Sequence, residues 1–127
     1  MDSYLYRWNQ LLVEGSTKIG RPWTNVGNYK RWMEEIGFEN VVEKSFYWPT
    51  SGWAKGTHYK QVAALFQADM LNGIEGMSLK VLGVLGWTPD AIREFVVGVK
   101  KDFCDTSITC YVTIKVVYGR KPASVVV

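Results

Sequence analysis

The most regular pattern in this 127-residue chain lies near its end. The stretch reads Ile108-Thr109-Cys110-Tyr111-Val112-Thr113-Ile114-Lys115-Val116-Val117-Tyr118. Every second side chain from Ile108 is apolar, and a period of two places these side chains on one face of a β-strand. The stretch therefore predicts a strand over Ile108–Tyr118 with one apolar face. The other face, which includes Thr109 and Lys115, is mixed.

Apolar residues at helical spacing predict most of what precedes this strand. A second strand is predicted over Phe38–Tyr47, where apolar and polar residues alternate less regularly. Gly73 separates two predicted helices, and Thr88 and Pro89 have the residue types that begin a helix. The predicted helices are Tyr4–Ile19, Asn28–Ile36, Thr57–Asn72, Ile74–Leu85 and Ala91–Cys104.

These elements predict an α+β fold in which about five helices pack on a small antiparallel sheet of two main strands. The chain is short enough for one domain, residues 1–127. Two strands alone are marginally stable in water, and the edge of Ile108–Tyr118 needs a partner. We therefore expect a homodimer that completes the sheet between two copies.

Composition excludes several classes of partner. The chain is 47% hydrophobic and 21% charged, with a net charge of +3 and its basic residues scattered. Scattered basic residues do not predict nucleic-acid binding. No apolar run approaches the ~20 residues that cross a bilayer, and no signal sequence is apparent. With two cysteines and no disulfide framework, a cytoplasmic location is expected.

Aromatic and methionine side chains near the loop Pro49–Gly56 predict a pocket for a small apolar substrate. The alternative is a satellite core beneath a long loop. The candidate substrate-binding residues are Tyr47, Trp48, Trp53, Tyr59, Phe66, Met70 and Met77.

Three ionisable residues are candidate catalytic groups. His58, the single histidine, lies where the loop meets a helix, and it is a candidate acid or base or an exposed residue. Asp69 and Glu75 lie in an apolar helical region, where a carboxyl group can act as an acid. The alternative for both is a solvated helix face or a helix cap near Gly73. One histidine and two separated cysteines predict no metal site.

Short stretches in a shared order resemble the C-terminal part of fungal class I methyltransferases of secondary metabolism, including the family of the velvet-associated global regulator. They cover nearly the whole chain. The matching stretches include Gly20-Arg21-Pro22-Trp23, Ile36-Gly37-Phe38, Trp48-Pro49, Trp53-Ala54-Lys55, Gly73-Ile74-Glu75-Gly76-Met77-Ser78, Leu85-Gly86-Trp87-Thr88 and Val117-Tyr118-Gly119-Arg120-Lys121-Pro122. The resemblance implies that the two strands are the last antiparallel pair of a Rossmann-like seven-stranded sheet.

The sequence departs from that family in two ways. No Gly-rich turn follows a strand, so the chain is expected to lack the half that binds S-adenosylmethionine and to use no cofactor. Thr109 stands where family members often carry a histidine. Our main hypothesis is therefore a cofactor-independent cyclase or isomerase, such as a pericyclase or Diels–Alderase, acting on a polyketide or terpenoid intermediate. The alternatives are a non-catalytic binding protein or a methyltransferase half that needs a partner chain.

Overall fold

The computed structural model describes residues 3–123. Within them, the residues up to Trp23 and the range Trp48–Val112 form one compact unit. Thr24–Tyr47 and the residues from Thr113 onward form a second unit. The elements, in chain order, are α1 (Tyr4–Ile19), a 3₁₀-helix (Trp23–Asn28), α2 (Tyr29–Ile36), β1 (Glu39–Pro49), α3 (Thr57–Val84), α4 (Pro89–Cys104) and β2 (Tyr111–Arg120).

Helix α1 has the predicted bounds because both of its ends are capped. The Ser3 hydroxyl accepts a hydrogen bond from the backbone N–H of Tyr6, and Gly20 ends the helix in the left-handed conformation at φ 90°. The N–H of Leu5 donates to the Asp102 carboxylate at 3.0 Å. This last bond attaches the first turn of α1 to α4.

Helix α3 corrects the prediction of two helices in this region. It runs without a break through Gly73 for 28 residues, so residues 3–123 contain four α-helices rather than about five. A glycine inside a helix costs only about 1 kcal/mol relative to alanine. Burial of the neighbouring Ile74, which is fully enclosed in the core, outweighs that cost.

The core of the first unit lies between α1, α3 and α4. On each helix, apolar side chains recur at helical spacing and form one apolar stripe. The three stripes pack against one another. Its buried members are Leu5, Trp8, Leu11, Leu12, Ile74, Val81, Leu82, Ile92, Val96, Val99 and Phe103.

Gly15 marks the closest approach of α1 to α3. A Cβ atom at this position would lie 2.5 Å from Cγ1 and 2.7 Å from the carbonyl oxygen of Val81. A side-chain atom can rotate away, but the carbonyl belongs to the backbone of α3. The two helices pack this closely because residue 15 has no side chain.

We therefore expect Gly15→Ala to destabilise the protein by about 2 kcal/mol, because overpacking outweighs the gain in helix propensity. Gly76→Ala in α3 is the matched control, since a Cβ there would meet nothing within 4 Å. We expect that control to raise stability slightly. Urea denaturation measures both, and equal stabilisation by the two substitutions would contradict the close approach.

The second unit contains α2 and most of the two-stranded antiparallel sheet. Arg120 donates to the Glu39 carboxylate at 2.9 Å, and Lys115 pairs with Glu43 at 3.5 Å across the strands. The Lys44 ammonium lies 5.8 Å from the centre of the Tyr118 ring. These pairs connect β1 and β2 in the observed register.

Strand β2 begins three residues later than predicted. The N–H of Ile108 donates to the Asp105 carbonyl at 3.2 Å, and the N–H of Cys110 donates to the Ile108 carbonyl at 3.0 Å. These tight turns bend the chain, so it is extended only from Tyr111.

The predicted apolar face of β2 is also less covered than expected. Val116 and Tyr118 are 43% and 47% exposed, and Ile114 is half-buried. No residue of α2 is buried either. Within residues 3–123 the sheet has two strands. Its completion by a second copy and its place in a Rossmann-like sheet stay predictions.

Candidate functional site

An apolar groove runs along one side of α3, next to the point where β1 ends. Its volume is about 320 Å³, near the lower end of the range for small-molecule sites. All of its lining residues belong to the first unit. They are Trp48, Val62, Leu65, Phe66 and Asp69.

Aromatic contacts connect this groove to the core. The rings of Trp48 and Phe66 meet edge to face, with centroids 5.3 Å apart. Phe66 in turn meets the buried Phe103 edge to face at 5.5 Å. Edge-to-face contacts are the favoured arrangement of aromatic pairs, so one wall of the groove is fixed through Phe66 to α4.

Hydrogen bonds hold the loop that follows Trp48. The Cys110 carbonyl accepts from the N–H of Thr50 at 3.0 Å, from the Thr50 hydroxyl at 3.2 Å and from the Trp53 indole at 2.9 Å. The Gln67 side chain donates to the carbonyls of Thr50 at 3.2 Å and Phe103 at 3.3 Å. Because the loop is tied both to α3 and to the segment before β2, the Trp48 ring has a defined position.

Asp69 supplies the charge of the groove. Asp69 is an exposed residue of the lining, one helical turn beyond Phe66 and Leu65. Among residues 3–123, no lysine or arginine pairs with this carboxylate, and no hydrogen bond to it is present. An ionised carboxylate only accepts hydrogen bonds, so Asp69 is available to a donor or cation bound in the groove.

The groove brings together three of the predicted site residues: Trp48, Phe66 and Asp69. Val62 and Leu65 complete it, and the sequence analysis did not select them. Leu65 is one of the apolar residues at helical spacing that predicted its helix, and its side chain is 75% exposed. The spacing of positions 62, 65, 66 and 69 places all four on one helical face, which is the signal that could have identified them.

The other two candidate catalytic residues lie elsewhere on α3. His58 is exposed in the first turn, where its ring meets that of Tyr59 at 5.2 Å. Glu75 accepts a hydrogen bond from the Arg93 guanidinium at 3.0 Å, and its side chain is 45% exposed. An apolar surrounding was the reason for choosing Glu75, whereas the structure gives it an ion pair at the surface. Catalytic roles for these residues stay predictions.

The remaining candidate substrate-binding residues do not line the groove. Trp53 donates to the Cys110 carbonyl and so fixes the loop. Met70 and Met77 are half-buried and pack against the core of the first unit. Tyr59 lies beside His58, and Tyr47 belongs to the second unit.

The Cys110 thiol, next to the loop, is partly buried. Burial raises the pKa of the Cys110 thiol, and a hydrogen bond from the backbone N–H of Tyr111 opposes this in part. A raised pKa keeps the thiol protonated at neutral pH, and the protonated form is unreactive.

Among residues 3–123, no cluster of three His, Cys, Asp or Glu side chains could hold a metal ion. In the same range, no helix is both long and apolar enough to cross a bilayer.

Comparisons with known proteins identify the region to which the chain corresponds. It is 35% identical over 121 residues to the probable methyltransferase tdiE of Emericella nidulans. It is 26% identical over 122 residues to the methyltransferase pytC of Aspergillus terreus. These matches cover 94% and 95% of the chain. The chain matches part of a fungal methyltransferase.

The match covers only part of the length of each relative. The chain spans 38% of the length of tdiE and of pytC. It is also 27% identical over 118 residues to the secondary metabolism regulator laeA of Aspergillus fumigatus, of which it covers 32%. No family model matches the chain, and no solved structure matches it. The resemblance to methyltransferases and regulators of fungal secondary metabolism is therefore confirmed for a partial methyltransferase-like region.

Proposed function

We propose that these 127 residues form the substrate-side part of a methyltransferase-like protein of fungal secondary metabolism. Residues outside them, on the same or another polypeptide, would bind S-adenosylmethionine. The observation that carries the proposal is the similarity to tdiE, which extends over 94% of the chain and 38% of that methyltransferase. The Gly-rich turn that binds the cofactor in such folds is not found in this sequence.

The second unit supports the same proposal. A two-stranded sheet is marginally stable by itself, and β2 exposes Val116 and Tyr118. An additional portion that extends the sheet would cover such side chains and pair with a strand edge. The groove beside Trp48 would then hold the substrate while the other portion supplies the methyl group.

The comparisons favour this alternative over a cyclase. The relatives are named as methyltransferases and as regulators of secondary metabolism. Cyclisation without a cofactor remains a hypothesis, and it makes an opposite prediction. A cyclase would convert its substrate with this chain alone, whereas a methyltransferase part would require both the methyl donor and the other portion.

Reconstitution tests the proposal. The chain is mixed with the portion of tdiE that lies outside the matched region, and binding of S-adenosylmethionine is measured by calorimetry. We expect the mixture to bind S-adenosylmethionine at least tenfold more tightly than this chain alone. Binding of equal strength by the chain alone, or no association between the two portions, would contradict the proposal.

A matched pair of variants tests whether β2 contributes to that association. Val116→Lys puts a charge on the side of β2 that carries Tyr118, and Thr113→Lys puts the same charge on the opposite side. Both positions are exposed, so neither substitution should unfold the chain. We expect Val116→Lys to weaken the association and Thr113→Lys to leave it nearly unchanged.

A further inference from the structure

The groove combines apolar walls with one carboxylate, and this combination selects a class of ligand. We propose that it binds a small aromatic molecule that carries a protonated amine, with the amine directed at Asp69. The inference rests on the proposed function in one respect, since it takes the groove as the place where the substrate is held. It adds the chemical class of that substrate.

The walls favour an aromatic ring. Trp48 and Phe66 already form an edge-to-face pair at 5.3 Å, and a third ring can join them in the same geometry. Leu65 is 75% exposed beside them, which leaves apolar surface that a ligand would cover. Removing such surface from water favours binding of an apolar ligand.

The charge favours a cation. Asp69 has no basic partner among residues 3–123. A protonated amine in the groove would pair with the Asp69 carboxylate and interact with the indole of Trp48, the best of the aromatic rings for a cation. An anionic ligand would be repelled by the same carboxylate.

The size favours one or two fused rings. A volume of about 320 Å³ is close to the minimum for a ligand site, so a long chain or a polycyclic skeleton would extend into solvent. Asp69 is exposed, so the amine of a bound molecule would remain partly hydrated.

Three probes with one ring system test the inference: 2-naphthylmethylamine, 2-naphthylmethanol and 2-naphthoate. Each is titrated into the full ¹⁵N-labelled chain, and the shifts of amide resonances report both affinity and location. We expect the amine to bind most tightly and the carboxylate most weakly, with the largest shifts at Trp48, Leu65 and Phe66. Tightest binding by 2-naphthoate, or shifts that lie elsewhere, would overturn the proposal.

Substitutions then separate charge from shape. Asp69→Asn should weaken binding of the amine about two- to fivefold, as expected for an exposed ion pair, and leave the alcohol nearly unchanged. Glu94→Gln removes the same charge from an exposed position on α4 and should change neither. Leu65→Ser should weaken all three probes. Equal effects of Asp69→Asn and Glu94→Gln on the amine would show that Asp69 is not its partner.

The outcome is independent of the methyl donor. S-adenosylmethionine and the other portion of the protein are absent from these titrations. Binding of the amine would therefore stand even if reconstitution failed, and loss of amine binding would leave the methyltransferase proposal untouched.

Discussion

Replacing Phe103 by alanine is expected to lower the free energy of unfolding by about 3–5 kcal/mol and to loosen the groove. Phe103 is 1% exposed near the end of α4, and its ring supports Phe66 at 5.5 Å. Removing it leaves a cavity that the three helices cannot close without moving. Since Phe66 also contacts Trp48, the wall of the groove should lose its fixed position at the same time.

Two measurements separate these effects. Urea denaturation gives the loss of stability, and titration with 2-naphthylmethylamine under conditions where the variant is still folded gives the effect on the groove. Val97→Ala is the matched control, because Val97 lies on the same helix but is 56% exposed, and its replacement should change stability by less than about 0.5 kcal/mol. A loss below 1 kcal/mol for Phe103→Ala would contradict the packing described for α4.

Elements with capping residues were predicted most accurately. Helix α1 has the expected bounds because Ser3 and Gly20 act locally, and their effect can be read from neighbouring residues. Thr88 likewise caps α4, and its hydroxyl accepts from the N–H of Ala91. The error at Gly73 arose because helix propensity is local, whereas the burial of Ile74 depends on distant helices.

The strands show a different limit of local reasoning. The alternation from Ile108 continues in the sequence, but turn hydrogen bonds at Ile108 and Cys110 interrupt the extended chain. Asp105 lies in the same turn. The Ser107 hydroxyl and N–H donate to the Asp105 carboxylate and lower its pKa. Apolar alternation alone also could not show that Val116 and Tyr118 are exposed.

The candidate site was predicted in part, for a related reason. Composition near the loop selected Trp48, and the apolar helical region selected Phe66 and Asp69. Composition near the loop also selected Trp53, whose indole N–H donates a hydrogen bond to the Cys110 carbonyl. Whether an aromatic side chain lines a groove or supports a loop depends on where its polar atom finds a partner, and that partner is 57 residues away.

The buried pair of Trp8 and Ser78 provides the second large effect. Trp8 is 6% exposed, and its indole N–H donates to the Ser78 hydroxyl at 2.9 Å. Ser78 is fully buried, and its hydroxyl donates in turn to the Ile74 carbonyl at 2.6 Å. Trp8→Ala removes both the largest side chain of α1 and this link to α3, so we expect a loss of about 3–5 kcal/mol.

Smaller substitutions separate the hydrogen bond from the packing. Ser78→Ala leaves the indole N–H buried without an acceptor and should cost about 1–3 kcal/mol. In a Trp8→Phe background there is no indole N–H that could be left without an acceptor. The same Ser78→Ala change should therefore cost less free energy of unfolding. Urea denaturation of the single and double variants measures this difference. An equal cost of Ser78→Ala in both backgrounds would show that the hydroxyl stabilises the protein through the Ile74 carbonyl and not through Trp8.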